Sequence, residues 1–178
     1  PMVLIRLFVG CLSPVFAGFI LAADFEELGR WPSVPWREPN ELHVQGDLAY
    51  LGTQAGLMIL DVSDPARPQY VSHLDCVAGG TTDVYAAADH VFLAAGNQAL
   101  RIVNVTDPAS PRLVSEPGVG SRFVNAVYVS GDYAYLSHGT QGLGLARIQP
   151  PETSVYQLTH TPDAWGRIEI VGHLGYVS

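Results

Sequence analysis

Two short polar turns carry the side-chain oxygen atoms in this sequence that could bind a hard cation. They hold Asp61, Ser63 and Asp64, and then Asn104, Thr106 and Asp107. Calcium takes about six to eight oxygen ligands, whereas each turn offers three side chains at most and no bidentate glutamate follows at loop spacing. Turn capping accounts for the same residues, because an Asp or Asn oxygen accepts the N–H two residues on. We therefore expect turn caps and no metal site.

The six histidines never occur as a short paired spacing of the His-x-His kind. They are His43, His73, His90, His138, His160 and His173. Imidazole metal sites commonly use such pairs, so no metal is expected. Ser137, His138 and Asp163 could supply a nucleophile, a base and an orienting carboxylate, yet a chain of this length contains such a set by chance. We therefore assign no catalytic residue and no cofactor, and we expect a His138→Ala change to be mild.

The ionic composition excludes several kinds of chemistry and of partner. All nine basic residues are arginine, so no lysine is present for a Schiff base or for a phosphate-binding loop. The formal net charge is -8 at pH 7, without a basic cluster, which argues against nucleic acid or an anionic membrane surface as partner. Cys76 is the one cysteine beyond the leader described below. It is either a small buried side chain or an exposed thiol open to intermolecular pairing.

An internal repeat in the sequence predicts the fold that positions these groups. Residues 61–68 recur as residues 104–111, 43 positions later, and both copies contain Asp-Pro followed three residues on by a second proline. A period in the low forties with four short apolar runs and polar turns is typical of one blade of a β-propeller. We therefore predict an all-β propeller of four-stranded blades with a repeat of about 42–43 residues.

Each unit begins with a strand in which apolar and polar residues alternate, followed by a tight turn of the Gly-Asp type. The next strand centres on an aromatic residue, at Tyr50, Phe92, Tyr135 and Tyr176. These rings should pack between neighbouring sheets, so Tyr50→Ala or Tyr135→Ala is expected to cost a few kcal/mol. The outer strand follows the two-proline turn, which suits an edge strand. In the third unit this turn reads Gln149-Pro150-Pro151, which predicts a longer or differently shaped connection.

The first 39 residues differ in composition from the repeats. Residues 1–23 are nearly all apolar, with Arg6 near the start and two alanines at the end, which predicts a secretory signal peptide. A membrane anchor is the competing interpretation, and the segment ending at Cys11 also resembles a lipoprotein cleavage site. Residues 24–39 are rich in Pro and Trp, which predicts a linker or a strap across the disc.

The repeats occupy residues 40–178, in units of about 40–81, 82–123, 124–164 and a truncated 165–178. Three blades and the opening of a fourth make an incomplete ring, because a closed propeller needs at least four blades. We expect the remainder of a longer chain, or another subunit, to complete it.

The repeats resemble the LVIVD-repeat family of β-propellers. Residues 57–61 read LMILD and residues 100–104 read LRIVN at the place of that family's namesake pentad, and the Gly-Asp and Asp-Pro turns lie where the family has them. The resemblance covers roughly residues 40–178 and is best in the first two units. It implies an exported or surface-attached bacterial protein, and it implies no catalytic residues, because fold alone does not decide function.

The mouth of the propeller channel is the expected place for a binding site. The loop that precedes each innermost strand faces the axis there, and the four loops offer Asn40 and Glu41, Thr82 and Asp83, Asn125, and Gly166 with Arg167. Such side chains could form a ring of acceptors for a cation, a sugar or a peptide amine. The alternative is that they bond the backbone of the neighbouring blade. We select Asn40, Asp83, Asn125 and Arg167 as candidate binding residues.

Two functions remain open from the sequence. The first is an exported, non-enzymatic propeller that presents its disc face to a protein, a peptide or a glycan. The second is the N-terminal part of a larger extracytoplasmic enzyme whose active site lies in other blades or domains. The feature that discriminates between these two functions is whether the completed ring has a polar, convergent channel or a plugged one.

Overall fold

The protein is described here by a computed structural model that covers residues 3–5, 27–30, 39–116, 123–149, 155–159, 166–171 and 174–177. All regular structure in these ranges is β-strand, and none of the described segments forms a helix long and apolar enough to span a membrane. The strands are β1 (Val3–Ile5), β2 (Glu27–Arg30), β3 (Pro39–Gln45), β4 (Leu48–Thr53), β5 (Gly56–Asp61), β6 (Gln69–Asp75), β7 (Asp83–Ala87), β8 (His90–Ala94), β9 (Leu100–Asn104), β10 (Arg112–Ser115), β11 (Ala126–Ser130), β12 (Tyr133–Ser137), β13 (Leu143–Arg147), β14 (Val155–Thr159), β15 (Ile168–Val171) and β16 (Leu174–Val177).

Three four-stranded antiparallel sheets follow one another along the chain. Blade 1 consists of β3 to β6, blade 2 of β7 to β10 and blade 3 of β11 to β14, each with its strands in sequential order. Strands β15 and β16 form a hairpin at the place of the inner half of a fourth blade, and β1 pairs with β2. Short turns join neighbouring strands, which is why the order in each sheet follows the sequence. The predicted all-β architecture of four-stranded blades in an unclosed ring is confirmed.

The turn after each inner strand requires a left-handed backbone. Gly46 and Gly131 have φ values of 60° and 56°, as glycine allows without strain. Ala88 stands at the equivalent place in blade 2 with a φ of 50°, a conformation that a Cβ atom disfavours. The predicted Gly-Asp type of turn is thus present in all three blades, and blade 2 carries local strain.

The Asp-Pro turns are closed by their own side chains. Asp61 Oδ1 accepts the N–H of Ser63 at 2.8 Å, and Asp64 Oδ1 accepts the N–H of Ala66 at 3.0 Å. In blade 2 the same bonds join Asn104 to Thr106 at 3.1 Å and Asp107 to Ala109 at 3.0 Å. Turn capping is therefore confirmed as the role of these oxygens.

Of the two outcomes expected for the third-unit connection, a greater length is wrong, and its shape lies outside the described residues. Arg147 pairs with Val155 across the last two strands of blade 3, a separation of eight positions. Asp61 pairs with Gln69 in blade 1 at the same separation, and blade 2 repeats it. Two successive prolines change the composition of the connection and leave its length unaltered, because the strand register on both sides sets that length.

The hydrophobic core lies between the blades. One cluster joins Tyr50, Leu57 and Ile59 of blade 1 to residues of blade 2, and a second joins Phe92 and Ile102 of blade 2 to residues of blade 3. Each sheet thus buries one face against the next, as stacked sheets do to remove apolar side chains from water.

The aromatic residues of the second strands are not equivalent in burial, contrary to expectation. Tyr50 and Phe92 are 4% and 2% exposed because a complete blade packs on each ring. Tyr135 is half-buried and lines a gap of about 480 Å³ beside β15 and β16, and Tyr176 is 56% exposed. A ring in this position is buried only where another full sheet covers it.

The face of blade 1 that points away from blade 2 is only partly covered. Ala49, Leu51 and Met58 are buried on it, while Leu42 and Val44 of the inner strand are exposed. In a closed ring this face contacts the last blade. Its exposed inner part agrees with the unclosed ring.

Candidate binding site in the central channel

The inner strands β3, β7, β11 and β15 surround a cavity at the axis of the assembly. Strand β7 packs against β3 on one side and β11 on the other, and β11 packs against β15. The cavity has a volume of about 310 Å³. Its polar and aromatic lining residues are His43, Asp83, Tyr85, Tyr128, Arg167 and Glu169. We call the end at which the inner strands begin the channel mouth.

Asn40, the second residue of β3, and Thr82, which directly precedes β7, lie 42 positions apart at the start of their inner strands, and both link one blade to the next. Asn40 Nδ2 donates to the carbonyl oxygen of Thr81 at 3.1 Å, which links blade 1 to the loop that precedes blade 2. Thr82 Oγ1 donates to the carbonyl oxygen of Val124 at 2.7 Å, which links blade 2 to the loop that precedes blade 3. Asn40 therefore fits the structural alternative considered from the sequence, a bond to the neighbouring backbone.

The buried carboxylate of Asp83 links two inner strands, and we call Asp83 a strut for this reason. Its Oδ1 accepts the N–H of Val84 and its Oδ2 accepts the N–H of Val127 in the next blade, both at 2.9 Å. The Val127 N–H lies on the edge of its sheet that faces the axis, where no further strand can accept it. Burial raises the pKa of the Asp83 carboxyl, and the two N–H bonds oppose that shift. Both carboxylate oxygens are thus used within the protein.

Arg167 and Asn125 stand at the channel mouth in different ways. Arg167 Nη2 lies 3.2 Å from Glu41 Oε2, so this ion pair joins the hairpin β15–β16 to blade 1 across the mouth. The Arg167 side chain is mostly exposed, so the ion pair contributes little to the free energy of folding, and its main effect is on the electrostatic potential at the mouth. Asn125 is half-buried, and its backbone N–H donates to the carbonyl oxygen of Ser137 at 2.9 Å.

Sequence reasoning missed the residues that line the channel one step below the mouth. His43, Tyr85, Tyr128 and Glu169 occupy the same position in the four inner strands, 42, 43 and 41 residues apart. The alternation of these strands indicates one buried and one unburied face, and it does not by itself say what the unburied face contacts. In a propeller that face of the inner strand points to the axis, which is the signal that could have identified these residues.

Three of these four side chains form a continuous aromatic wall. The ring centroids of His43 and Tyr85 are 4.6 Å apart, and those of Tyr85 and Tyr128 are 4.9 Å apart. Burial lowers the pKa of His43, so its imidazole is uncharged at neutral pH. Burial also raises the pKa of Tyr85, with a smaller contribution from its side-chain hydrogen bond with Tyr128. The wall is therefore electrically neutral.

The Ser137 and His138 side chains are not arranged as a nucleophile and its base. Ser137 is fully buried and its hydroxyl has no hydrogen-bond partner. His138 is 4% exposed and its Nδ1 lies 3.0 Å from the carbonyl oxygen of Phe123. Asp163 lies outside the described residues. The expectation that His138→Ala would be mild is not supported by this burial, because removing the ring would leave a cavity.

The remaining candidate groups carry no site chemistry. Within the described ranges, no three His, Cys, Asp or Glu side chains are grouped closely enough to hold a metal ion. Cys76 is half-buried beside the core between blades 1 and 2, and burial raises the pKa of its thiol to about 11. A thiol of that pKa is almost entirely protonated at neutral pH and therefore a poor nucleophile.

The stacked four-stranded sheets around an axial cavity define a β-propeller repeat protein. The family model of the LVIVD repeat matches residues 37–75, 78–116 and 121–144, which is more than half of the chain. The chain belongs to the LVIVD repeat family. No curated protein sequence matches it.

Solved structures of similar fold include two designed proteins and one natural propeller. The computationally designed Ika8 protein has a TM-score of 0.60 at 10% identity, and the computationally designed Ika4 protein has 0.66 at 10% identity. The β-propeller domain of Cps50 (Swd1) from Myceliophteria thermophila has 0.59 at 18% identity. The matches cover 77%, 84% and 75% of this chain, and 41%, 89% and 44% of the respective relatives. At these identities the likeness establishes the fold alone.

Proposed function

We propose that this protein is an exported, non-enzymatic binding module that receives a protein, peptide or glycan ligand at the channel mouth. The observation that carries the proposal is the axial cavity, on which polar and aromatic side chains of four inner strands converge. Ligand sites of proteins are typically concave, with an apolar or aromatic wall and a few polar groups that set orientation. The cavity has these properties.

We propose a non-enzymatic role because the candidate acid–base side chains already form hydrogen bonds with the backbone. Asp83 uses both oxygens on backbone N–H groups, and the His138 imidazole is held by a backbone carbonyl in the blade interior. A general base or a nucleophile needs a reactive atom directed at a substrate. The described part of the channel offers side chains suited to contact and to charge complementarity.

Export is supported by the composition of residues 1–23. The test is to express the full chain with a C-terminal tag in a bacterial host and to determine the N-terminus of the tagged product in the medium, the periplasm and the cell. We expect a mature protein outside the cytoplasm that begins near residue 24. An uncleaved cytoplasmic product would contradict this part of the proposal.

Binding at the channel mouth is tested with peptide and glycan arrays probed by the fluorescently labelled full chain. The informative variant is Glu169→Arg, which reverses the charge of an exposed lining residue. The matched control is Asp132→Arg, an exposed turn residue beyond the end of β11, four positions and roughly 13 Å along the chain from the level of Glu169. Circular dichroism establishes that both variants keep the β-fold.

We expect the arrays to give hits that Glu169→Arg abolishes and Asp132→Arg retains. Hits that both variants retain would place binding elsewhere and overturn the channel site. Hits recovered chemically altered, as detected by mass spectrometry after incubation, would overturn the non-enzymatic role and favour the enzyme considered from the sequence.

A further inference from the structure

One level of the channel has a composition that suits a particular kind of ligand. The equivalent positions of the four inner strands carry two tyrosines, one histidine and one glutamate, namely Tyr85, Tyr128, His43 and Glu169. We call these four residues the axial cage. At this level of the cavity three aromatic rings accompany one carboxylate, and both kinds of group attract positive charge, since a ring face is the negative pole of the aromatic quadrupole.

Neighbouring rings of the aromatic wall are inclined to each other. The planes of His43 and Tyr85 are inclined at 53°, and those of Tyr85 and Tyr128 at 56°. A tyrosine hydroxyl fixes the third wall, because Tyr128 donates to the carbonyl oxygen of Ile170 in β15 at 3.4 Å. The aromatic surface is thus curved and held by the backbone of the next unit.

The charges near the cage favour a cation over an anion. Glu169 supplies a carboxylate within the ring, and the His43 imidazole is uncharged at neutral pH because burial lowers its pKa. Arg167 is the one basic side chain among the lining residues of the described cavity, and it forms an ion pair with Glu41 at 3.2 Å. Asp83 adds a second acidic group to the same lining.

We propose that the axial cage binds a small alkylammonium ion, with the ring faces of His43, Tyr85 and Tyr128 around the cation and Glu169 as its counter-charge. This inference rests on the proposed function, because it names the ligand chemistry of the same cavity. A quaternary ammonium group donates no hydrogen bond, so aromatic faces and a carboxylate are its appropriate partners. The cavity of about 310 Å³ is of a size suited to such a small ion.

The test is isothermal titration calorimetry of the full chain with choline, with tetramethylammonium and with 3,3-dimethylbutan-1-ol. The alcohol has the shape of choline and no charge, so it separates attraction of the cation from burial of its methyl groups. We expect both cations to bind and the alcohol to bind at least tenfold more weakly. Equal affinities for choline and the alcohol, or no binding of either cation at millimolar concentration, would overturn the inference.

Variants locate the ion within the channel. Tyr128→Leu should weaken choline binding by about twofold to thirtyfold, the range of one cation–π contact, and Glu169→Gln by up to about fivefold, the contribution of one exposed charge. The matched controls are Asp132→Asn and Tyr133→Leu, both at exposed positions at the far end of blade 3, and they should leave the affinity unchanged. Since Glu169 is exposed, its variant keeps the test decisive if Tyr128→Leu does not fold.

The sign of a third variant discriminates a cation from an anion. Arg167→Gln removes a positive charge from the lining and should strengthen choline binding, whereas an anion site would be weakened by the same change. Vesicles of phosphatidylcholine present the same cation on a surface. We expect them not to compete with free choline, because the cage lies below the mouth. Binding of the protein to these vesicles without binding of free choline would overturn the proposal.

The two proposals fail separately. Array hits that depend on Glu169, together with equal binding of choline and its neutral analogue, would contradict the ammonium site and leave the binding module intact. Choline binding that no channel variant alters would refute the cage alone, because the channel site is judged by the array hits and their dependence on Glu169.

Discussion

Replacement of Asp83 by alanine is expected to destabilise the propeller through loss of the strut between blades 2 and 3. Asp83 is 8% exposed, and its carboxylate accepts the backbone N–H groups of Val84 and Val127, both at 2.9 Å. A buried donor left without a partner costs about 1–3 kcal/mol, so the two donors together imply about 2–6 kcal/mol. Removal of a charge from a buried position offsets part of this, which leaves a net cost of about 3 kcal/mol.

The measurement is equilibrium unfolding in urea, followed by circular dichroism, for the wild type, Asp83→Ala and the exposed control Asp132→Ala. The control should change the free energy of unfolding by less than about 0.5 kcal/mol. Equal, small effects of the two substitutions would refute the assignment of Asp83 as a strut.

The pH dependence of stability gives a second test of the same group. Burial raises the pKa of Asp83 above the ordinary aspartate value of 3.8, so the folded protein holds this proton to higher pH than the unfolded chain does. The contribution of the group to stability is therefore fully present below pH 3.8 and is lost as pH rises through the folded pKa. Asp83→Asn does not titrate, so the wild type should lose stability relative to this variant as the pH rises over that interval. A difference independent of pH would contradict the shift.

Three further predictions concern the turns, the core and the thiol. Ala88→Gly should raise the free energy of unfolding by up to about 1 kcal/mol, because it relieves a left-handed backbone at φ 50°, and an unchanged urea midpoint would count against that strain. Tyr50→Ala should cost about 3 kcal/mol and Tyr176→Ala less than about 1 kcal/mol, since the first ring is 4% and the second 56% exposed; equal losses by the same unfolding assay would contradict the burial of the rings. In a Cys11→Ser background, Cys76 should react with iodoacetamide at pH 8 roughly 100-fold more slowly in the native protein than in urea, because its pKa is raised from 9.0 to about 11, and rapid native alkylation would exclude this.

The blades were predictable because the signals that specify them are local. The Asp-Pro turns recur at a fixed spacing, and their caps at Asp61 and Asp64 involve atoms two residues apart. The same holds for the tight turn at Gly46, whose positive φ suits glycine. The length of the connection before Val155 was misjudged because its prolines were read alone, whereas pairing with Arg147 across the sheet sets it.

The candidate site was predictable only in part. Of the four selected residues, Asp83 and Arg167 line the cavity. Asn40 and Asp83 bond the neighbouring blade, and Arg167 pairs with Glu41. Partners 41 to 126 positions away decide these roles, and no spacing within one repeat reports on them.

The amino-acid sequence by itself determined the strands, their order within each blade and the family, because alternation, turn chemistry and period act over a few tens of residues. Only the tertiary structure decided which polar side chains are struts and which face the axis. It also decided that Tyr50 is buried while Tyr176 is exposed. The physical reason is that burial and convergence depend on the sheet that packs against each residue, and an identical position in the repeat has a different environment wherever the neighbouring blade differs.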